Sequence, residues 1–316
     1  MKIVLDLTKL VHEGKLTPAQ AEELKLLSAR DTGLLAINIL LAFGTIAVAA
    51  GVLLLVPSLP TAVAIAMLLI AGGLVLSYGA GPQWTILGTA TTIVGALWLS
   101  AVGVSFTNGH WYGYALATVL CLACAVAIRS SLLSATAVLA LAATLGSSTA
   151  YASATYILIV QQATLTIVSF GLLAWIAYLI AHRVPVDYEP LALNFARVSL
   201  IMVNFGFWCG SLFGDDSGKG WLWLSGSTPP IHLPDFGFVI AWAAGLIAVG
   251  IWAARANRRF VVNLAATFFA INFYTQWFER LGADPLSIAL SGVLVIATAV
   301  ALWRYNAIPR TAKAAA

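Results

Sequence analysis

Apolar residues run along this chain in ten long blocks separated by short polar or proline-containing breaks. A helix that crosses hydrocarbon needs about 20 mostly apolar residues. The blocks match that length: 32–56, 61–78, 84–106, 112–128, 131–147, 156–181, 191–213, 236–254, 260–278 and 285–303. The pattern predicts an all-α polytopic transmembrane bundle over residues 32–304, preceded by a segment 1–31 and followed by a tail 305–316. The fourth and fifth blocks are short and parted only by Arg129 and Ser130, so they either cross fully or form one re-entrant pair. All 11 prolines lie outside the blocks or at their ends, which argues against a transporter built on proline-broken helices. The double glycine Gly72-Gly73 reads as close helix packing through small residues.

Composition agrees with this pattern. Of the 316 residues, 61% are hydrophobic and only 9% are charged, against about 25% charged in soluble domains. Too few charges exist to cover a water-soluble globule, and the mean hydropathy of +0.95 excludes a disordered chain. The 16 Lys and Arg residues also sort by loop. With the N-terminus inside, only Lys219 and Arg280 fall outside the membrane, and every other cation lies on the inner side. Cytoplasmic loops are enriched in Lys and Arg, so the chain is expected to have both termini in the cytoplasm.

Two regions stand outside the blocks. Residues 1–28 read as an amphipathic helical hairpin, with Ile3, Leu7, Leu10 and Val11 on one face and Gly14 as the break. Thr17, Pro18 and Gln20 then form a capping-box pattern that starts a second helix. The outer loop 214–235 holds Asp215-Asp216, the alternation Trp221-Leu222-Trp223-Leu224 and Pro229-Pro230. Its tryptophans suit the membrane boundary. The two aspartates read as solvated, because an oxygen cation site needs about six ligands. Either region could dock a protein partner; the bilayer itself is the other expected partner.

The run 10–21, Leu-Val-His-Glu-Gly-Lys-Leu-Thr-Pro-Ala-Gln-Ala, is similar to the opening segment of a bacterial family of predicted multi-pass membrane proteins known only as a domain of unknown function. Arg258-Arg259-Phe260-Val261-Val262-Asn263-Leu264, on through Phe269 and Tyr274 to Trp303-Arg304, resembles that family too. The likeness covers the two ends of the chain. It implies a short hairpin followed by many spans in a bacterial inner membrane, and it assigns no activity.

Candidate chemistry is sparse. Arg197 lies six residues into the seventh block, about 9 Å deep at 1.5 Å per residue. It is either a snorkelling cation or a functional intramembrane charge, with Asp187 and Glu189 as available partners. Gln162, Thr166 and Ser169 fall at helical spacing in the sixth block, Asn204 and Trp208 in the seventh, and Asn272, Tyr274, Thr275, Gln276 and Glu279 in the ninth. Such groups serve either as interhelical hydrogen-bond glue or as the lining of an outward-facing polar pocket. The pocket reading takes Gln162, Thr166, Asn204, Trp208, Asn272, Tyr274 and Gln276.

Cys121 and Cys124 sit in a fully apolar stretch and read as packing. The four histidines are scattered, and no nucleophile motif, phosphate loop or nucleic-acid surface is legible. No catalytic residue, metal or cofactor is expected. The chain reads as a non-enzymatic, permease-like inner-membrane protein for a neutral or lipid-like molecule. The alternative is an accessory or scaffold protein that docks a partner through residues 1–28 or 214–235. Epitope tags at both termini should be reached only from the cytoplasmic face, and a tag beside Asp215 only from the opposite one. A cytoplasmic Asp215 tag would overturn the map.

Overall fold

The computed structural model describes residues 17–81, 84–152, 155–217, 231–281 and 284–307. These residues form ten helices and two short antiparallel hairpins. Helices α1 (Pro18–Leu55), α2 (Leu59–Gly79), α3 (Thr85–Phe106), α4 (Trp111–Ile128) and α5 (Ser131–Thr144) come first. Strands β1 (Ser147–Ala152) and β2 (Thr155–Val160) follow, then α6 (Ala163–Ala181) and α7 (Glu189–Phe213). Strands β3 (Asp215–Ser217) and β4 (Ile231–Leu233) precede α8 (Asp235–Arg255), α9 (Arg259–Leu281) and α10 (Pro285–Ala307).

The helical class is as the apolar blocks predict. Six helices, α2, α3, α4, α6, α7 and α8, are long and apolar enough to cross a membrane, and α1, α5 and α10 contain shorter apolar stretches. The α9 segment has 23 residues, but Asn263, Asn272 and Gln276 dilute its hydropathy. Large apolar side chains such as Leu40, Leu68, Val168 and Leu294 face outward. That is costly in water and favourable against lipid.

Three boundaries differ from the sequence reading. The capping box forms, with Gln20 N–H donating to Thr17 Oγ1 and Thr17 N–H to Gln20 Oε1. The helix it starts, however, runs unbroken through residue 31 to Leu55, because no Pro stands at the junction and the single Gly33 there does not stop a helix by itself. The hairpin's first helix, with Ile3 to Gly14, lies outside the described residues, as do Trp221–Leu224, Pro229 and Pro230. The fifth block ends early, at Thr144, where Gly146 turns with φ +82°, a conformation costly for residues with a Cβ. The sixth block starts late. Thr155–Val160 is a strand paired with Ser147–Ala152, Ser147 opposite Val160. β-branched and aromatic residues favour a pleated surface, and a continuous apolar run does not by itself tell strand from helix.

The chain divides into two compact units at Ala137/Val138, within α5. In the first unit, α2 and α3 meet backbone to backbone. A Cβ on Gly73 would lie 2.2 Å from Thr92 Oγ1 and 2.7 Å from the Gly88 carbonyl, and one on Gly95 would lie 2.9 Å from the Ala66 carbonyl. Thr91 and Thr92 return their hydroxyls to the Gly88 carbonyl, while the Ser77 hydroxyl, which also faces Gly88, has no partner among the described residues. Cys121, Cys124 and Ala125 pack against Ala96, Leu133 and Ala137, which makes the Cys121/Cys124 spacing a packing feature.

In the second unit, the later half of α5 joins Phe170 and Met202 around Val138 and Ala142. A further cluster holds Trp242, Leu246, Ala265 and Phe268. Helices α6 to α9 alternate in direction. One end of the unit holds both hairpins with the α6 and α8 N-termini; the other holds the α6 and α8 C-termini with the α7 and α9 N-termini.

The α2–α3 contact sets a test. Gly73→Leu and Gly95→Leu should each lower unfolding stability by about 1–3 kcal/mol through overpacking. Gly44→Ala, which meets no atom within 4 Å, should be neutral or slightly stabilising. Thermal unfolding in detergent, followed by circular dichroism, would distinguish them.

Candidate functional site

The polar residues of the second unit resolve into three groups. The first is structural glue. Asn204 is buried on α7; its Nδ2 donates to the Leu200 carbonyl at 2.8 Å, and its Oδ1 accepts from Trp242 Nε1 of α8 at 2.9 Å. Both hydrogen-bonding ends of that amide are thereby engaged. Trp242 is enclosed by Phe207, stacked at 6.4 Å, and by Phe268 at 6.3 Å. Thr166 is buried on α6, bonded to Ser147 Oγ at 3.1 Å and to the Gln162 carbonyl at 2.9 Å. Gln276 Nε2 donates to the Ser211 carbonyl at 3.5 Å. Asn272 is 4% exposed, and its Nδ2 has no hydrogen-bond partner among the described residues.

The second group closes the hairpin end. Gln162, predicted inside a span, instead precedes α6 as its N-cap residue and gives no side-chain cap. The cap comes from across the unit: Thr164 N–H donates to Asp215 Oδ2 at 2.8 Å. Asp215 is 5% exposed, so it is not the solvated acid that the sequence suggested. A carboxylate there satisfies an orphan N–H and complements the positive end of the α6 dipole. Gly214, with φ +68°, makes the turn that delivers it, and a Cβ there would lie 2.8 Å from the Leu233 carbonyl. Asp216 points the other way and meets His232 across the β3–β4 pair, Nδ1 to Oδ1 at 2.8 Å.

The third group lines a groove of about 460 Å³ on α7, α9 and α10. Trp208, Ala270, Tyr274, Thr275 and Thr298 form its wall. Most polar atoms of this wall are already engaged. Trp208 Nε1 donates to Thr275 Oγ1 at 3.1 Å. Thr267 and Thr298 donate to the carbonyls of Asn263 and Leu294. The Tyr274 hydroxyl makes no hydrogen bond among the described residues. The groove is otherwise apolar.

Of the predicted pocket residues, the structure brings Trp208 and Tyr274 to this groove. It leaves Gln162, Thr166, Asn204, Asn272 and Gln276 off its wall; Asn204 borders a separate space of about 120 Å³ beside Trp242. Asn204 and Gln276 bond to neighbouring helices, which costs a buried amide less than being held open toward a pocket. The contribution of α10 was missed. Its signal is volume: Ala266 and Ala270 on α9 and Ala299 on α10 leave the space their larger neighbours would fill.

Arg197 is exposed on α7, with its guanidinium 5.0 Å from the centre of the Phe260 ring. It pairs with neither Asp187 nor Glu189. Among the described residues, no group of three or more His, Cys, Asp or Glu is placed to hold a metal ion. No family model matches the chain, and no curated protein or solved structure matches it.

Asp215 gives a direct prediction. Asp215→Ala should cost about 1 kcal/mol, within the 0.5–2 kcal/mol of a lost N-cap, while Asp215→Asn should keep most of the stability. Equal thermal midpoints for wild type and Asp215→Ala would remove the capping role.

Proposed function

We propose that the chain crosses the bilayer ten times with both termini in the cytoplasm, and that it is a permease-like, non-enzymatic protein for a neutral or lipid-like small molecule. Alternation of the second unit's helices supports the orientation. Arg183, Arg197, Arg255, Arg258 and Arg259 gather at one end, and Asp215, Asp216, Asp235, Glu279 and Asp284 at the other. Cations on one side are what a cytoplasmic face selects. The likeness of the chain's ends to a bacterial membrane family supports an inner-membrane location.

The observation that carries the substrate class is the groove on α7, α9 and α10. Its volume of about 460 Å³ suits a small ligand, and a single uncommitted hydroxyl, that of Tyr274, stands in an apolar wall. Such a wall favours a molecule that is mostly hydrocarbon with one carbonyl or hydroxyl group. A charged ligand would lose its hydration there with nothing to replace it.

The accessory reading draws on α1. At 38 residues it is about 57 Å long, against about 30 Å of hydrocarbon. Its charged first half therefore extends beyond the core, where a partner could hold it.

Flux of a fluorescent monoacylglycerol in proteoliposomes tests the main reading. Ala270→Phe, which fills the groove, should abolish flux with the thermal midpoint unchanged. Tyr274→Phe should reduce it about two- to tenfold, the range for one hydrogen bond. Wild-type flux in both variants would leave the groove without a role. If deleting residues 17–31 instead releases a specific bound protein, the accessory reading gains.

A further inference from the structure

Among the described residues, the cationic end of the second unit carries arginine and no lysine. Arg183 follows α6, Arg197 lies on α7, Arg255 ends α8, Arg258 precedes α9 and Arg259 begins it. Two of these guanidinium groups are held by aromatic rings. Arg258 Nη2 donates to the Tyr178 hydroxyl at 2.8 Å, with its central carbon 5.5 Å from the Tyr178 ring centre. Tyr178 is itself braced by His182, whose Nδ1 sits 2.8 Å from the Tyr178 carbonyl and whose ring lies 4.5 Å away, centre to centre. Arg197 stacks on Phe260, only two residues beyond Arg258. The two fixed guanidiniums thus flank the start of α9.

The local counter-charge is small. Arg183, Arg197, Arg255 and Arg258 are exposed and make no ion pair with a carboxylate among the described residues. The carboxylates at this end are Asp187 and Glu189, and the first turn of α9 contains no acid. Contact with a ring restricts where a guanidinium can move and leaves N–H groups for an outside acceptor. Arginine's fork matches the oxygens of a phosphate, and its weak hydration lowers the cost of contact. Arg183, Arg255 and Arg258 sit where helices of membrane-spanning length end; Arg197 lies eight residues into α7, about 12 Å along it, and reaches toward Phe260 near the start of α9.

We propose that Arg197 and Arg258, held by Phe260 and Tyr178, form a binding site for the phosphate headgroup of an anionic phospholipid. The site rests on the reading that these helices span a bilayer, and it is independent of the groove. Basic positions between spans on the cytoplasmic side are suited to such headgroups. The arginines supply the fork, the rings hold it in place, and the apolar flanks of α6, α7 and α9 accept the acyl chains.

The test uses the full chain in nanodiscs of phosphatidylcholine with 20% phosphatidylglycerol, followed by native mass spectrometry of retained lipid. Wild type should retain phosphatidylglycerol in preference to phosphatidylcholine. Arg197→Gln and Arg258→Gln should each reduce that preference about fivefold, as expected for one cation at the surface. Tyr178→Phe, which keeps the ring, should reduce it less. Each variant is compared at a matched thermal midpoint in pure phosphatidylcholine, so that misfolding is separated from lost binding. Unchanged selectivity in the folded Arg197→Gln/Arg258→Gln double variant would overturn the site. So would displacement of the lipid by millimolar glycerol phosphate, which would make it a site for soluble anions. A chain extracted from membranes by alkaline carbonate would overturn the span map and this site together; an inserted chain without headgroup preference would overturn the site alone.

Discussion

The cost of leaving a polar atom unpaired between packed helices is the constraint from which most of this architecture follows. A polar atom in that environment must find its partner inside the protein or face a cost of several kcal/mol. The threonines and serines of the spans meet it locally, as Thr91, Thr118, Thr136 and Ser100 return their hydroxyls to carbonyls one turn back. Longer polar side chains meet it across helices. Asn204 with Trp242 joins α7 to α8, and Trp208 with Thr275 joins α7 to α9. These bonds fix the rotation of α7 relative to both neighbours. They also explain why the groove wall is so poor in uncommitted polar atoms. The exceptions include Asn272, Ser77, Ser199 and Trp277, whose buried N–H or O–H groups have no partner among the described residues.

Where helices lie was legible in the sequence because hydropathy over about 20 residues is a strong signal. The Thr17–Gln20 cap was legible for a different reason: it depends on side-chain chemistry within four residues. The β1–β2 hairpin was not legible. Tyr156 to Val160 is as apolar as a helix, and only its pairing with residues on the far side of a turn decides its form. The continuity of α1 was hidden by charge, since Arg30 and Asp31 mark a change of solvent without interrupting the backbone.

The site was less legible than the fold. Periodicity placed Asn272, Thr275 and Gln276 on one face of α9, and Thr275 and Gln276 do turn toward α7. What periodicity lacks is the partner's identity. Asn204 looked like a pocket residue until Trp242, 38 positions away, was seen to occupy its carbonyl oxygen. Asp215 looked solvated until the end of α6 was found beside it. A groove formed by small side chains is harder still, because alanine announces no function of its own.

The pairing of β3 with β4 has a topological consequence. Ser217 and Ile231 are cross-strand neighbours, so the chain leaves and returns at almost one point. Whatever length of polypeptide joins them, the helices that follow and precede, α8 and α7, receive the same anchoring. The entropy of closing such a loop rises only logarithmically with its length. Added chain at this position, including a folded insert with adjacent ends, therefore costs the bundle beneath it little.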